Sequence, residues 1–168
     1  FAIEIEAGEA FGTGHNATTV LCLEALDACT RRRQVARVLD MGCGSGLLAI
    51  AAARAFPGAQ VLASDNDPIA TDIARDNVRL NRVGERVRVV NATGFAHAAL
   101  RRAQPFDLGL ANILPGPLIA LAPQMRRAIA RGPRSERKTS GTPRTSSSGG
   151  QCRNAPGECQ GARRRAGR

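Results

Sequence analysis

The chain has 168 residues, 43% of them hydrophobic, with no Trp or Tyr, five Cys and a formal net charge of +10. This allows one domain with a sizeable core, and the lack of an apolar run of about 18 residues or a signal-peptide pattern gives no sign of a membrane span or export. The charge is uneven: residues 131–168 hold 10 Lys and Arg against 2 acids, whereas residues 1–130 hold 14 against 12.

Residues 1–6 alternate Phe1, Ile3 and Ile5 with Glu4 and Glu6, a pattern that predicts a short strand. The text opens in mid-pattern without Met, as expected of a piece of a longer chain. Residues 10–20, AFGTGHNATTV, read as a glycine-punctuated loop entering a helix, with Asn16 or Thr18 placed to cap it. Leu21, Leu23, Ala25 and Leu26 give that helix an apolar side, and the basic run Arg31–Arg33 suits its C-terminal end. Cys22, Cys29, Cys43, Cys152 and Cys159 form no CxxC, which fits a reducing, cytoplasmic compartment.

Residues 35–50, VARVLDMGCGSGLLAI, are the centre of the chain. Val35, Val38 and Leu39 predict an interior parallel strand that closes on Asp40. Gly42, Gly44 and Gly46 permit a tight turn and close approach to a bound molecule, and residues 47–55 predict a helix. A strand, glycine loop and helix in this order bind a nucleoside-bearing cofactor at the carboxyl end of the strand. The dinucleotide fingerprint fails, because its sixth position, counted from Gly42, is Leu47, and no Lys-Ser or Lys-Thr follows for a phosphate loop. The remaining pattern, D-x-G-x-G-x-G, resembles motif I of the S-adenosylmethionine methyltransferases. Asp40, Gly42, Gly44 and Gly46 are therefore candidate cofactor-binding residues.

Pro57-Gly58 stops the helix, and residues 60–64 predict a second strand with Asp65 at its carboxyl end. There an acid is placed to accept hydrogen bonds from ribose hydroxyls, while Asp67-Pro68 begins the next helix as cap and first turn. Positions 69, 70, 73, 74, 77–78 and 80 keep close to helical spacing, and residues 86–90 alternate as strand three. Residues 91–94 lie where an adenine would sit. Residues 95–102 predict a short helix whose His97 reads as a packing or surface residue. Residues 106–113, FDLGLANI, predict strand four, and Asn112 leaves it where a second substrate approaches. An Asn carbonyl there accepts an amine N–H and orients the nitrogen lone pair at a methyl group, which makes Asn112 the candidate catalytic residue. Pro115 and Pro117 are expected to prevent both continued sheet and early helix.

Beyond Arg131 there is no Val, Ile, Leu, Met or Phe, so residues 132–168 are expected to be a disordered basic tail after a domain over 1–131. The abrupt change suits an out-of-frame reading of a GC-rich coding sequence. Such a tail also suits salt-sensitive, sequence-independent nucleic-acid contact.

Three stretches, AFGTGHNATT, LDMGCGSGLLAIAA and DLGLANILPGPLIALAP, together resemble the PrmA family, which methylates large-subunit ribosomal protein eleven. The resemblance implies a class I, Rossmann-like α/β fold, a parallel sheet with helices on both faces. It implies that Thr19, Gly42, Asp65 and Asn112 contact S-adenosylmethionine or the departing methyl, and that residues 11–14 form a flap. The substrates it implies are lysine and N-terminal amines of that ribosomal protein, with no metal. The family's N-terminal substrate domain and its ILSGIL stretch have no counterpart here, so the last strands are expected to be missing. A sheet of four strands, plus whatever residues 1–5 add, should remain, with an apolar edge at strand four. Two alternatives stay open: methylation of another nitrogen, in a small molecule or nucleic acid, or a truncated non-enzymatic product.

Overall fold

The computed structural model describes residues 2–6, 17–31 and 34–129. The flap over 11–14, the Asn16 cap and the tail over 132–168 lie outside them.

Four parallel strands form the sheet: β1 (Arg37–Met41), β2 (Gln60–Asp65), β3 (Val87–Asn91) and β4 (Leu108–Leu110), in the order β3-β2-β1-β4. Around them run α1 (Ala17–Thr30), α2 (Leu47–Ala55), α3 (Pro68–Leu80), α4 (Ala98–Arg102) and α5 (Pro115–Ala128). Alternation along the strands divides the core into two layers. Val38 of β1 with Val61 and Ala63 of β2 packs under α2 and α3, joined by Leu26 of α1. Leu39, Met41 and Leu62 face the other way, against Leu100 of α4 and Met125 and Ala128 of α5. Helices therefore cover both faces, as a buried parallel sheet requires. Ala49, Ala51, Ala52 and Ala53 of α2 are fully buried, and their small side chains let that helix lie directly on the strands.

The sequence expectations need four corrections. Residues 2–6 are not a strand of the sheet. Ile3 and Ile5 turn inward as the alternation implies, but the backbone pairs with side chains: Glu4 N–H donates to Asn81 Oδ1 at 3.1 Å and Glu6 N–H to Asn77 Oδ1 at 2.9 Å. Strand four is three residues long rather than eight. Asp107 turns aside to accept from the backbone N–H groups of Ala36 and Arg37 (2.9 Å each), and Phe106 pairs in parallel with Ile129. Finally, Pro115 does not delay a helix: it occupies the first turn of α5, where the missing N–H has no intrahelical partner to lose. Thr18 lies inside α1, so it is not the cap.

The order of the sheet reverses at β1, which has β2 on one side and β4 on the other. Both the glycine loop after β1 and the segment after β4 leave at the carboxyl edge of this reversal, the usual ligand crevice of such sheets. Among the described residues no helix is long and apolar enough to cross a membrane.

Candidate functional site

The glycine loop is held from several directions. Gly42, Gly44 and Gly46 all have positive φ (73°, 51° and 82°), conformations that L side chains avoid. Gly42 and Cys43 donate backbone N–H groups to the Ser64 carbonyl at 2.7 and 3.1 Å, which ties the loop to the end of β2. A Cβ on Gly42 would overlap Cγ2 of Ile113, so the chain leaving β4 lies directly on the glycine loop. A Cβ on Gly46 would sit 3.2 Å from that of Ala74, close packing that fixes α2 against α3. Gly46 caps α2 without any side-chain hydrogen bond, which leaves the first-turn N–H groups of α2 directed at the loop.

Asp65 stands at the carboxyl end of β2. Its Oδ2 accepts from Gly44 N–H at 2.9 Å and its Oδ1 from Asp67 N–H at 3.1 Å. Each carboxylate oxygen has a further lone pair, so the half-exposed group can still accept from a ligand. Asp67 caps α3 through Oδ1, accepting from Ile69 N–H at 2.8 Å with Pro68 in the first turn. Asp67 is thus the cap expected of it, and Asp65 holds the glycine loop through Gly44.

Asn112 lies just beyond β4, and its Nδ2 donates to Thr19 Oγ1 of α1 at 3.0 Å. Thr19 is 2% exposed, so this hydroxyl is a fixed partner. With Nδ2 engaged, Oδ1 is the Asn112 atom left to accept from an amine. Thr19, Asn112, Gly42, Gly44 and Asp65 thus form one chain of contacts, with Ile113 bridging Asn112 to Gly42.

Asp40 is 1% exposed, and neither carboxylate oxygen has a hydrogen-bond partner of good geometry among the described residues. Burial pushes its carboxyl up to about 7; the Ala49 backbone amide opposes this, and the Asp65 charge adds to it. Burial likewise raises the Cys43 thiol, with the Asp40 charge adding to it, so this loop cysteine stays protonated. The buried carboxyl beneath the glycine cradle suits a positively charged group, the uncapped start of α2 suits an anionic one, and the half-exposed Asp65 suits ribose hydroxyls.

His97 is placed outside this group: its Nδ1 caps α4, accepting from Ala99 N–H at 3.0 Å. Two residues were not identified from the sequence. Asn77 and Asn81 are 1% and 7% exposed, on the same side of α3 as Ala70, Ala74 and Val78. The signal was present as two amides within an otherwise apolar helical register.

Comparison with known proteins agrees with this geometry. The family model for ribosomal protein L11 methyltransferase, PrmA, matches residues 1–141. The chain is 51% identical over 131 residues to the ribosomal protein L11 methyltransferase of Agrobacterium fabrum and 55% over 132 residues to that of Bradyrhizobium diazoefficiens. These matches cover 78% and 79% of this chain but 44% of each relative, so the chain spans less than half the length of those proteins. A crystal structure of ribosomal protein L11 methylase from Lactobacillus delbrueckii subsp. bulgaricus superposes with a TM-score of 0.63 at 31% identity, covering 76% of this chain and 61% of that one. A precorrin-6y C5,15-methyltransferase from Geobacter metallireducens shares the fold, with a TM-score of 0.61 at 21% identity over 76% of this chain and 63% of that one. The fold is that of the class I, S-adenosylmethionine-dependent methyltransferases, and the chain belongs to the ribosomal protein L11 methyltransferase family.

Proposed function

We propose that residues 1–131 form the S-adenosylmethionine-binding catalytic core of a protein N-methyltransferase that modifies lysine and N-terminal amines of ribosomal protein L11. The observation that carries this reading is the Asn112–Thr19 hydrogen bond, with Ile113 seated on Gly42 at the reversal of the sheet. The family match supplies the substrate class. A ribosomal substrate, with Cys22, Cys29 and Cys43 free among the described residues, supports a cytoplasmic site of action.

The cofactor, when bound, supplies an activated methyl group on a sulfonium centre. The positive-φ turn through Gly42, Gly44 and Gly46 would cradle it, Asp65 would accept from its ribose hydroxyls, and Asp40, buried beneath the loop, would supply a countercharge. Thr19 holds Asn112 so that Oδ1 faces the incoming nitrogen. Asn112 then accepts an N–H of the neutral amine and aims the lone pair at the methyl. A free lysine amine has a pKa near 10.4 and arrives mostly protonated. Entry into a poorly hydrated site near positive charge favours its neutral form. The protein's contribution is positioning, which is effective when reacting atoms are held about 3–3.5 Å apart.

The basic segment over 132–168 is a separate matter, and its +7 charge supports at most salt-sensitive, non-specific nucleic-acid contact. The test of the main reading is transfer of labelled methyl to purified ribosomal protein L11, with and without a supplied N-terminal domain from a full-length relative. Label in the ribosomal protein that disappears in Asn112→Ala supports it. Label on nucleic acid or a small amine, with none on the protein, supports the other-nitrogen alternative.

A further inference from the structure

The segment over residues 2–6 is joined to the glycine loop by one buried side chain. Asn77 Oδ1 accepts from Glu6 N–H at 2.9 Å, while its Nδ2 donates to the Ser45 carbonyl at 2.9 Å. Ser45 lies between Gly44 and Gly46 within the loop. One turn further along α3, Asn81 accepts from Glu4 N–H at 3.1 Å and returns a bond to the Glu4 carbonyl at 2.6 Å. Asn81 is itself fixed by donating to the Asn77 carbonyl at 2.9 Å and accepting from Arg54 Nη2 at 2.9 Å. Four helical residues rise about 6 Å, and two extended residues span about 6.6 Å. The segment can therefore lie along α3 as a strap and engage both amides at once. Ile3 and Ile5 point into the core cluster beneath, which holds it there.

Both donor and acceptor of the Asn77 amide are in use, and the residue is 1% exposed. Shifting the strap removes an acceptor's partner from a buried amide, and shifting the loop removes a donor's; either leaves an unsatisfied polar group. We propose that Asn77 is a positioning residue that couples the seating of the strap over residues 2–6 to the conformation of the glycine loop. Cofactor binding and strap docking then strengthen each other, since coupling between two sites is reciprocal. That second statement rests on the cofactor reading above; the coupling itself does not.

Hydrogen exchange on the full chain tests both parts separately. Two variants are compared with the parent protein: Asn77→Ala, which removes the bridge, and Glu6→Pro, which removes the strap's donor at an exposed position. Without ligand, the Gly44 and Gly46 amides are expected to exchange several-fold faster in both variants. If Glu6→Pro releases the strap but the loop amides keep the parent's rates, the coupling is overturned. Saturating S-adenosylhomocysteine is expected to slow exchange at the Glu4 amide in the parent protein and not in Asn77→Ala. Both variants should bind it about five-fold or more weakly by calorimetry, at the low end of measured couplings. Binding by the parent with no change at Glu4 also overturns the coupling. Failure of the folded parent to bind at all overturns the cofactor reading instead, and the ligand-free comparison still decides the coupling.

Discussion

Asn112 and Thr19, 93 positions apart in sequence, meet through a 3.0 Å hydrogen bond from amide to hydroxyl. The bond joins the end of the shortest strand to the first turn of α1 and fixes which atom of Asn112 is left for a substrate. Two substitutions probe it. Asn112→Ala should abolish most methyl transfer while cofactor affinity changes less. Thr19→Val removes the hydroxyl at nearly constant volume and should lower kcat about ten-fold or more, because misplacing a positioned group is costly. Steady-state kinetics with ribosomal protein L11 would show equal activity in Thr19→Val if the hydrogen bond had no part in orientation.

The seat of Ile113 on Gly42 makes a second prediction. Gly42→Ala introduces both positive-φ strain and overlap with Ile113 Cγ2, and should destabilise the fold by about 1–3 kcal/mol. Ile113→Ala in the same chain should restore part of this loss, since it relieves the overlap but not the strain. Urea denaturation of the two single variants and the double variant measures the coupling. Strict additivity would show that the two residues are not in contact.

Asp40 predicts a pH dependence. Its carboxyl lies at about 7 in the folded protein, against about 4 in an unfolded chain. The native state therefore holds an extra proton between those values, and this group's contribution to stability falls as pH rises from about 4 through 7. Asp40→Asn should flatten that decline and stabilise the ligand-free protein by about 1–3 kcal/mol at pH 8. Denaturation curves at pH 5.5 and 8 are the check, and an unchanged slope in the variant would remove Asp40 from the account. Cys43, pushed upward by burial with Asp40 adding to it, stays protonated across this window and does not contribute.

Asp67 supplies a control. Its cap on Ile69 is separate from the contacts of the glycine loop, so Asp67→Ala should cost about 1 kcal/mol of stability and leave cofactor affinity within about two-fold. A large loss of affinity measured by calorimetry would mean that the two neighbouring acids do not divide their roles.

The glycine loop, its flanking strand and helix, the Asp67 cap and the switch point beside β4 were legible in sequence because each is a local pattern. Glycine spacing, an apolar strand and an Asp-Pro pair act within a few residues. Residues 2–6 misled because alternation reports one inward face, not what the backbone pairs with; here the partners are amides on α3. Strand four is shorter than the run over 106–113 implies because register with β1 covers only Leu108, Gly109 and Leu110, and the Asp107 side chain is taken up by the Ala36 and Arg37 amides. The bridge through Asn77 spans 71 positions to Glu6 and 32 to Ser45, distances over which spacing holds no information.

The most direct test of the central claim is calorimetric titration of the chain with S-adenosylmethionine, beside Asp65→Ala with its fold checked by circular dichroism. The account predicts saturable binding at a single site, weakened at least about ten-fold in the variant because the acid holds the Gly44 amide and is proposed to accept from ribose hydroxyls. A folded parent chain that binds nothing, or an Asp65→Ala variant that binds equally well, would contradict it.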